Sequence, residues 1–265
     1  MLFVFALYLG FGAVAGVLAG LLGLGGGIIF VPMLNYAFRL QQLPSEHIQI
    51  MAVATSMACI MITSISSLRV HHAKGNVRWD VWRGITPGIL FGTFSGTWMA
   101  VLLPGEVLQV LFVCFLLFVC SQMLLNTKPK PTRGLPDRPG LLAVGTGIGV
   151  ISSLVGIGGG TMSIPFLTMC NVPFHSCIGT SAAIGLPIAF AGVAGYLLNG
   201  WNVSGLPPYT FGFVYLPACF GVVIASSLCA SFGAKLAHNL PTAKLKRIFA
   251  CFLIVVAANM LWSLR

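Results

Sequence analysis

The sequence predicts an all-α protein: a polytopic transmembrane helical bundle of two inverted repeats, each a broken or re-entrant helix pair carrying a Gly-rich turn plus three long spans. Three observations carry that expectation. Of the 265 residues 57% are hydrophobic and 7% are charged, whereas soluble domains carry roughly 25% charged residues. Apolar runs recur at 1–22, 48–68, 84–104, 107–126, 177–198, 209–234 and 248–264, each about long enough to cross roughly 30 Å of hydrocarbon. A glycine-rich motif occurs twice.

The first run contains Ala13-Val14-Ala15, which mimics a leader cleavage site. No Lys or Arg precedes it, as a leader requires, and the segment has a counterpart later in the chain. It is therefore expected to be retained. Residues 3–38 would make about 54 Å of continuous helix, too long for one crossing. The run Gly23-Leu24-Gly25-Gly26-Gly27 is where that helix is expected to break.

The stretch from Gly16 to Leu34 aligns without a gap on Gly149 to Leu167, and the three consecutive glycines recur as Gly158, Gly159 and Gly160. Pro32 recurs as Pro165. Further along, Thr55-Ser56 matches Thr180-Ser181, Pro87 is paired with Pro217, and Leu111 to Cys114 matches Ile248 to Cys251. The chain thus divides into a first repeat, 1–126, a cytoplasmic linker, 127–139, rich in proline and charge, and a second repeat, 140–265.

A bent-back helix pair leaves its two ends on one side, so each repeat makes an odd number of net crossings and the second is inverted. Charge supports this. With the bend, twelve of the fourteen Lys and Arg residues fall on one face, leaving Arg39 and Arg265 opposite. The excess of cations belongs to the cytoplasm, which puts both termini outside. Nucleic-acid binding is excluded, because the net charge of +10 arises from cations flanking apolar spans rather than from a basic surface patch.

Inverted repeats with broken helices place a site at their interface, where half-helix N-termini aim unpaired amides at an anion. The expected substrate-binding residues are Gly25, Gly26, Gly27 and Ile28 in the first turn and Gly158, Gly159, Gly160 and Thr161 in the second. Thr55, Ser56, Thr180 and Ser181 supply hydroxyls. Pro32, Pro165, Pro87 and Pro217 are structural or gating candidates because each interrupts a helical ladder. Asn35 and Asn171 are expected to end the two short helices. The series Gly12, Gly16, Gly20 and Gly88, Gly92, Gly96 read as close-packing ladders.

Neither glycine turn has the Lys-Ser or Lys-Thr of a nucleotide loop. The four acidic residues, Glu46, Asp80, Glu106 and Asp137, fall at span ends, so no carboxylate serves a mid-membrane proton relay. The eight cysteines lie mostly in apolar runs without a C-x-x-C pair and read as small hydrophobes. No catalytic residue, metal site or cofactor is expected. The partners are a small anionic substrate and the lipid bilayer, and the sequence leaves the oligomeric state open.

The doubled glycine motifs with their prolines, the Thr-Ser pairs and the span from Pro87 to Gly92 resemble the TauE/SafE family of sulfite exporters, within the toluene-sulfonate uptake permease superfamily. The resemblance runs over nearly the full chain. It implies transport of sulfite or organosulfonates in a bacterial inner membrane. Export by alternating access is the leading expectation. An anion channel, an uptake permease for a sulfonate and a non-transporting membrane assembly subunit are the alternatives.

Overall fold

The computed structural model describes residues 2–22, 27–125, 134–237 and 242–263. Gly25, Gly26 and most of the linker lie outside the described residues. The elements in chain order are α1 (Leu2–Leu22), α2 (Gly27–Leu40), α3 (Ser45–Ala73), α4 (Trp79–Leu102), α5 (Gly105–Leu125), α6 (Arg138–Val155), α7 (Gly160–Met169), α8 (Phe174–Gly200), β1 (Thr210–Phe211), β2 (Val214–Tyr215), α9 (Leu216–Ala237) and α10 (Thr242–Trp262). Helices α3, α4, α5, α6 and α8 are long and apolar enough to cross a membrane. Hydrocarbon offers no hydrogen bonds, so a chain of this composition satisfies its backbone within helices.

Helix ends follow local chemistry. The Asp137 carboxylate accepts from the Gly140 amide at the start of α6, with Pro139 in the first turn. Gly156 (φ +75°) ends α6, and the amides of Gly156 and Ile157 both turn back to the Ser152 carbonyl. Asn171 (φ +60°) ends α7, as the sequence leads one to expect. Its structural counterpart after α2 is Gln42 (φ +54°), where the Leu43 amide donates to Phe38. Asn35 does not end α2: it lies buried in the helix interior.

The direction of each helix follows from its contacts. Helices α1 and α9 run parallel, with Gly12 against Val222 and Gly16 against Ser226. Helices α4 and α6 also run parallel, Gly84 lying against Leu141 and Gly96 against Val150. By contrast α3 and α8 are antiparallel, Met57 meeting Gly192 and Ser64 meeting Gly185. So are α5 and α10, where Gln109 bonds the Met260 carbonyl and Cys120 approaches that of Ala250. Under the correspondence read from the sequence, the first two interfaces are one contact with the partners exchanged.

The glycine ladders make these close approaches possible. A Cβ on Gly149 would stand 2.6 Å from both the Ile89 oxygen and the Thr93 nitrogen, and one on Gly16 would stand 2.6 Å from Ser226 Cα. Packing of small residues substitutes here for the hydrophobic drive that lipid cannot supply.

Two further expectations change. Pro87 is the ninth residue of α4, whereas Pro217 is the second of α9, in the first turn where no amide is required. The pairing of Pro87 with Pro217 therefore fails. Contacts equate Gly84, against Leu141, with Gly221, against Tyr8. Second, the apolar run at 209–234 is not one helix. Residues 201–215 form a loop with an antiparallel hairpin, Thr210 opposite Tyr215.

Candidate glycine-turn site between the hairpins

Helices α2 and α7 begin at matching glycines, Gly27 and Gly160, and their starts converge. A Cβ on Gly27 would meet Ile60 Cδ1 at 2.8 Å, Ile157 Cα at 2.9 Å and the Gly158 nitrogen at 3.0 Å. Gly27 therefore touches the second turn across bare backbone. Gly158 packs against Ile60, and Gly159 against Ile184 and Ile188. Ile60 lies near the middle of α3 and Ile188 near the middle of α8. Gly27 and the second turn thus meet about 20 Å along the two central helices from their ends.

Gly159 precedes the first turn of α7, and no side chain caps that terminus. The Ser163 amide makes the first helical bond, to the Gly159 carbonyl. The amides of Gly160, Thr161 and Met162 accordingly have no acceptor within the helix and carry the positive end of its dipole. Ser163 Oγ donates to the Gly159 carbonyl and lies 2.9 Å from Ser181 Oγ. Ser56 Oγ donates to the Gly156 carbonyl at 2.9 Å. Both serines named from the sequence therefore stand at the second turn, Ser181 reaching it through Ser163.

Their threonine neighbours do not face the turns. Thr55 Oγ1 accepts from the Tyr215 amide, and Thr180 Oγ1 from the Arg78 amide, each at 3.0 Å. Tyr215 immediately precedes α9 and Arg78 immediately precedes α4. Each threonine thus holds the entry of a helix from the opposite half of the chain. Ile28 is buried in the core, while Thr161 is half-buried beside the turn.

Pro32 and Pro165 each occupy the sixth position of their short helix. A proline there leaves the carbonyl four residues earlier without its bond, which frees the oxygens of Ile28 and Thr161 next to the turns. Pro87 does the same at Arg83 in α4, but faces outward. Pro217 frees no carbonyl.

Sequence reasoning missed Ser163, Gly156 and the isoleucines Ile60, Ile184 and Ile188 that cover the turns. Gly156 was legible, because it begins the second glycine motif. Ser163 was not, since Phe30 stands at its place in the first motif.

The described cations are segregated. Arg69, Lys74, Arg78 and Arg83 surround the turn between α3 and α4. Arg138 begins α6, which runs parallel to α4 from the same end. Arg39 ends α2 at the opposite face, beside the start of α5 and the end of α10. Arg78 and Asp80 form an ion pair at 2.6 Å on the cationic face.

Apolar spanning helices, broken short helices converging from two halves of one chain, and a one-sided cation distribution define an integral membrane transporter. The chain belongs to the sulfite exporter TauE/SafE family, whose model matches residues 8–260. It is 36% identical over 251 residues to a probable membrane transporter protein of Haemophilus influenzae, covering 94% of this chain and 95% of that one. A probable membrane transporter protein of Methanocaldococcus jannaschii is 28% identical over 257 residues, covering 94% and 92%. The probable membrane transporter protein YdhB of Bacillus subtilis is 26% identical over 254 residues, covering 93% and 95%. No solved structure matches.

Proposed function

We propose that this transporter moves small sulfur-containing anions, sulfite or organosulfonates, by alternating access between two inverted halves, with the anion held at the paired glycine turns. The observation that carries the reading is the uncapped start of α7 meeting Gly27 near the middle of α3 and α8. Amide donors at a helix start bind an oxyanion without a fixed full charge, so they also release it. Ser56 and Ser163 tie down the carbonyls of the turn, Ser181 adjoins it through Ser163, and the prolines in α2 and α7 let each short helix tilt. Ile60, Ile184 and Ile188 cover Gly158 and Gly159. That close cover on one side of the turn favours a carrier over an open channel.

The inverted arrangement is supported by helix direction: α1, α3 and α9 point one way, and α4, α6 and α8 the other. The chain resides in a bacterial inner membrane, with its cationic face in the cytoplasm and both termini outside. An interior-negative potential drives an anion outward by about 2.3 kcal/mol per charge per 100 mV, which makes export the downhill direction without a coupled ion.

The test is sulfite flux in proteoliposomes. Wild type releases internal sulfite faster when the interior is negative. Gly159→Leu, whose side chain would enter the space between Gly159, Ile184 and Ile188, abolishes flux while the protein stays folded by circular dichroism. Undiminished flux in that variant removes the site.

A further inference from the structure

The glycine turns leave a second polar centre unused, at the face opposite the cation-rich end. Arg39 donates through Nε to Asn35 Oδ1 at 2.9 Å, through one terminal nitrogen to Gln109 Oε1 at 3.0 Å, and through the other to the Ser263 carbonyl at 3.4 Å. Among the described residues no carboxylate pairs with it. Among those residues only neutral oxygens compensate the charge.

A guanidinium is donor-only, so its position fixes the amides around it. Asn35 must turn its oxygen to Arg39 and hence its nitrogen to Gln49, which accepts at 2.6 Å. Gln49 is then obliged to present its oxygen to Asn35. Its own Nε2 is left buried without any acceptor, on a residue only 2% exposed. A stranded donor of this kind is costly. Gln49 and Ser56 lie seven residues apart on α3, about two turns along one face, so the stranded donor sits on the same helix that reaches the glycine turns.

We propose that Arg39 and Gln49 form an outer anion station, which binds a sulfur oxyanion on its way to or from the glycine turns. The Gln49 amide and the two guanidinium hydrogens not engaged by protein supply the donors. Counted from the helix start the position matching Arg39 is Val172, and counted back from Gln42 and Asn171 it is Thr168, so neither alignment puts a cation there, the station exists at one face only and the two ends of the path differ. This inference rests on the transport reading above, which supplies the ligand class.

Binding of sodium sulfite to purified protein, measured by calorimetry against sodium chloride of equal ionic strength, tests it. Gln49→Glu keeps the oxygen that Asn35 requires and replaces the free donor with a negative charge. Its sulfite affinity falls about tenfold or more, the loss of a charge-assisted contact, with no fall in melting temperature. Arg39→Lys keeps the charge without the fork and also weakens binding. Gly159→Leu leaves binding at the station intact even as flux stops. Unchanged affinity in Gln49→Glu and Arg39→Lys overturns the station. Loss of binding in Gly159→Leu alone overturns it too, while sparing the central site. Absence of any sulfite binding in wild type overturns both.

Discussion

Gly149 lies where α6 crosses α4, and replacing it with alanine tests the packing that holds the two halves together. The added Cβ would stand 2.6 Å from the Ile89 oxygen, 2.6 Å from the Thr93 nitrogen and 2.9 Å from Thr93 Oγ1, against the 3.4 Å at which ordinary contact begins. Two of these neighbours are backbone, so no rotamer change relieves them. The helices must part by about 0.8 Å, an overpacking that costs about 1–3 kcal/mol. Gly147, two residues away on the same helix, has nothing within 4 Å of a Cβ and serves as the control, since both variants gain the same helix propensity of about 1 kcal/mol. Thermal unfolding in detergent, followed by tryptophan fluorescence, reads the difference at about 2–4 °C per kcal/mol for a chain of this size. Gly149→Ala should melt about 2–12 °C below Gly147→Ala by the same arithmetic. Equal melting temperatures would refute the close approach of α4 and α6.

Thr55→Val and Thr180→Val strand the Tyr215 and Arg78 amides and should each cost about 1–3 kcal/mol in chemical denaturation, with the serine variants restoring stability. Tyr196→Phe removes the bond to the Ser153 carbonyl, 2.8 Å long and buried, and should lower stability by about 1 kcal/mol in the same assay. Single cysteines at Lys74 and Asn202, in a background without reactive native thiols, should be labelled by an impermeant maleimide from opposite sides of the membrane, Lys74 from the cytoplasm. Labelling of both from one side contradicts the helix directions.

Composition and apolar run length made the helices legible, because a chain with so few charges has only the bilayer in which to fold. The glycine turns were legible because a helix must break there and the break occurs twice. Equivalence of Pro87 and Pro217 was misread because identity of residue was matched without regard to helix position. The loop at 201–215 lengthens the second half ahead of α9, so that Gly221, not Pro217, answers a residue of α4. Asn35 looked like a helix end because the pattern carries no sign of its partners, Gln49 and Arg39, which lie on α3 and further along α2. The Thr-Ser pairs were expected to offer hydroxyls to the anion, and only packing separates their jobs. Serine faces a glycine turn, and threonine, one residue back, faces the entry of a helix from the other half.

The proposed transport depends on backbone amides at the start of α7 acting as the anion's ligands. Crystals soaked in selenite, a heavier analogue of sulfite, report this through the anomalous signal of selenium. A peak about 4 Å from the Gly160 and Thr161 nitrogens, one Se–O bond beyond the oxygen that accepts from them, absent in Gly159→Leu crystals, is the expected result. Selenite that liposomes transport but that gives no peak at those amides would contradict it.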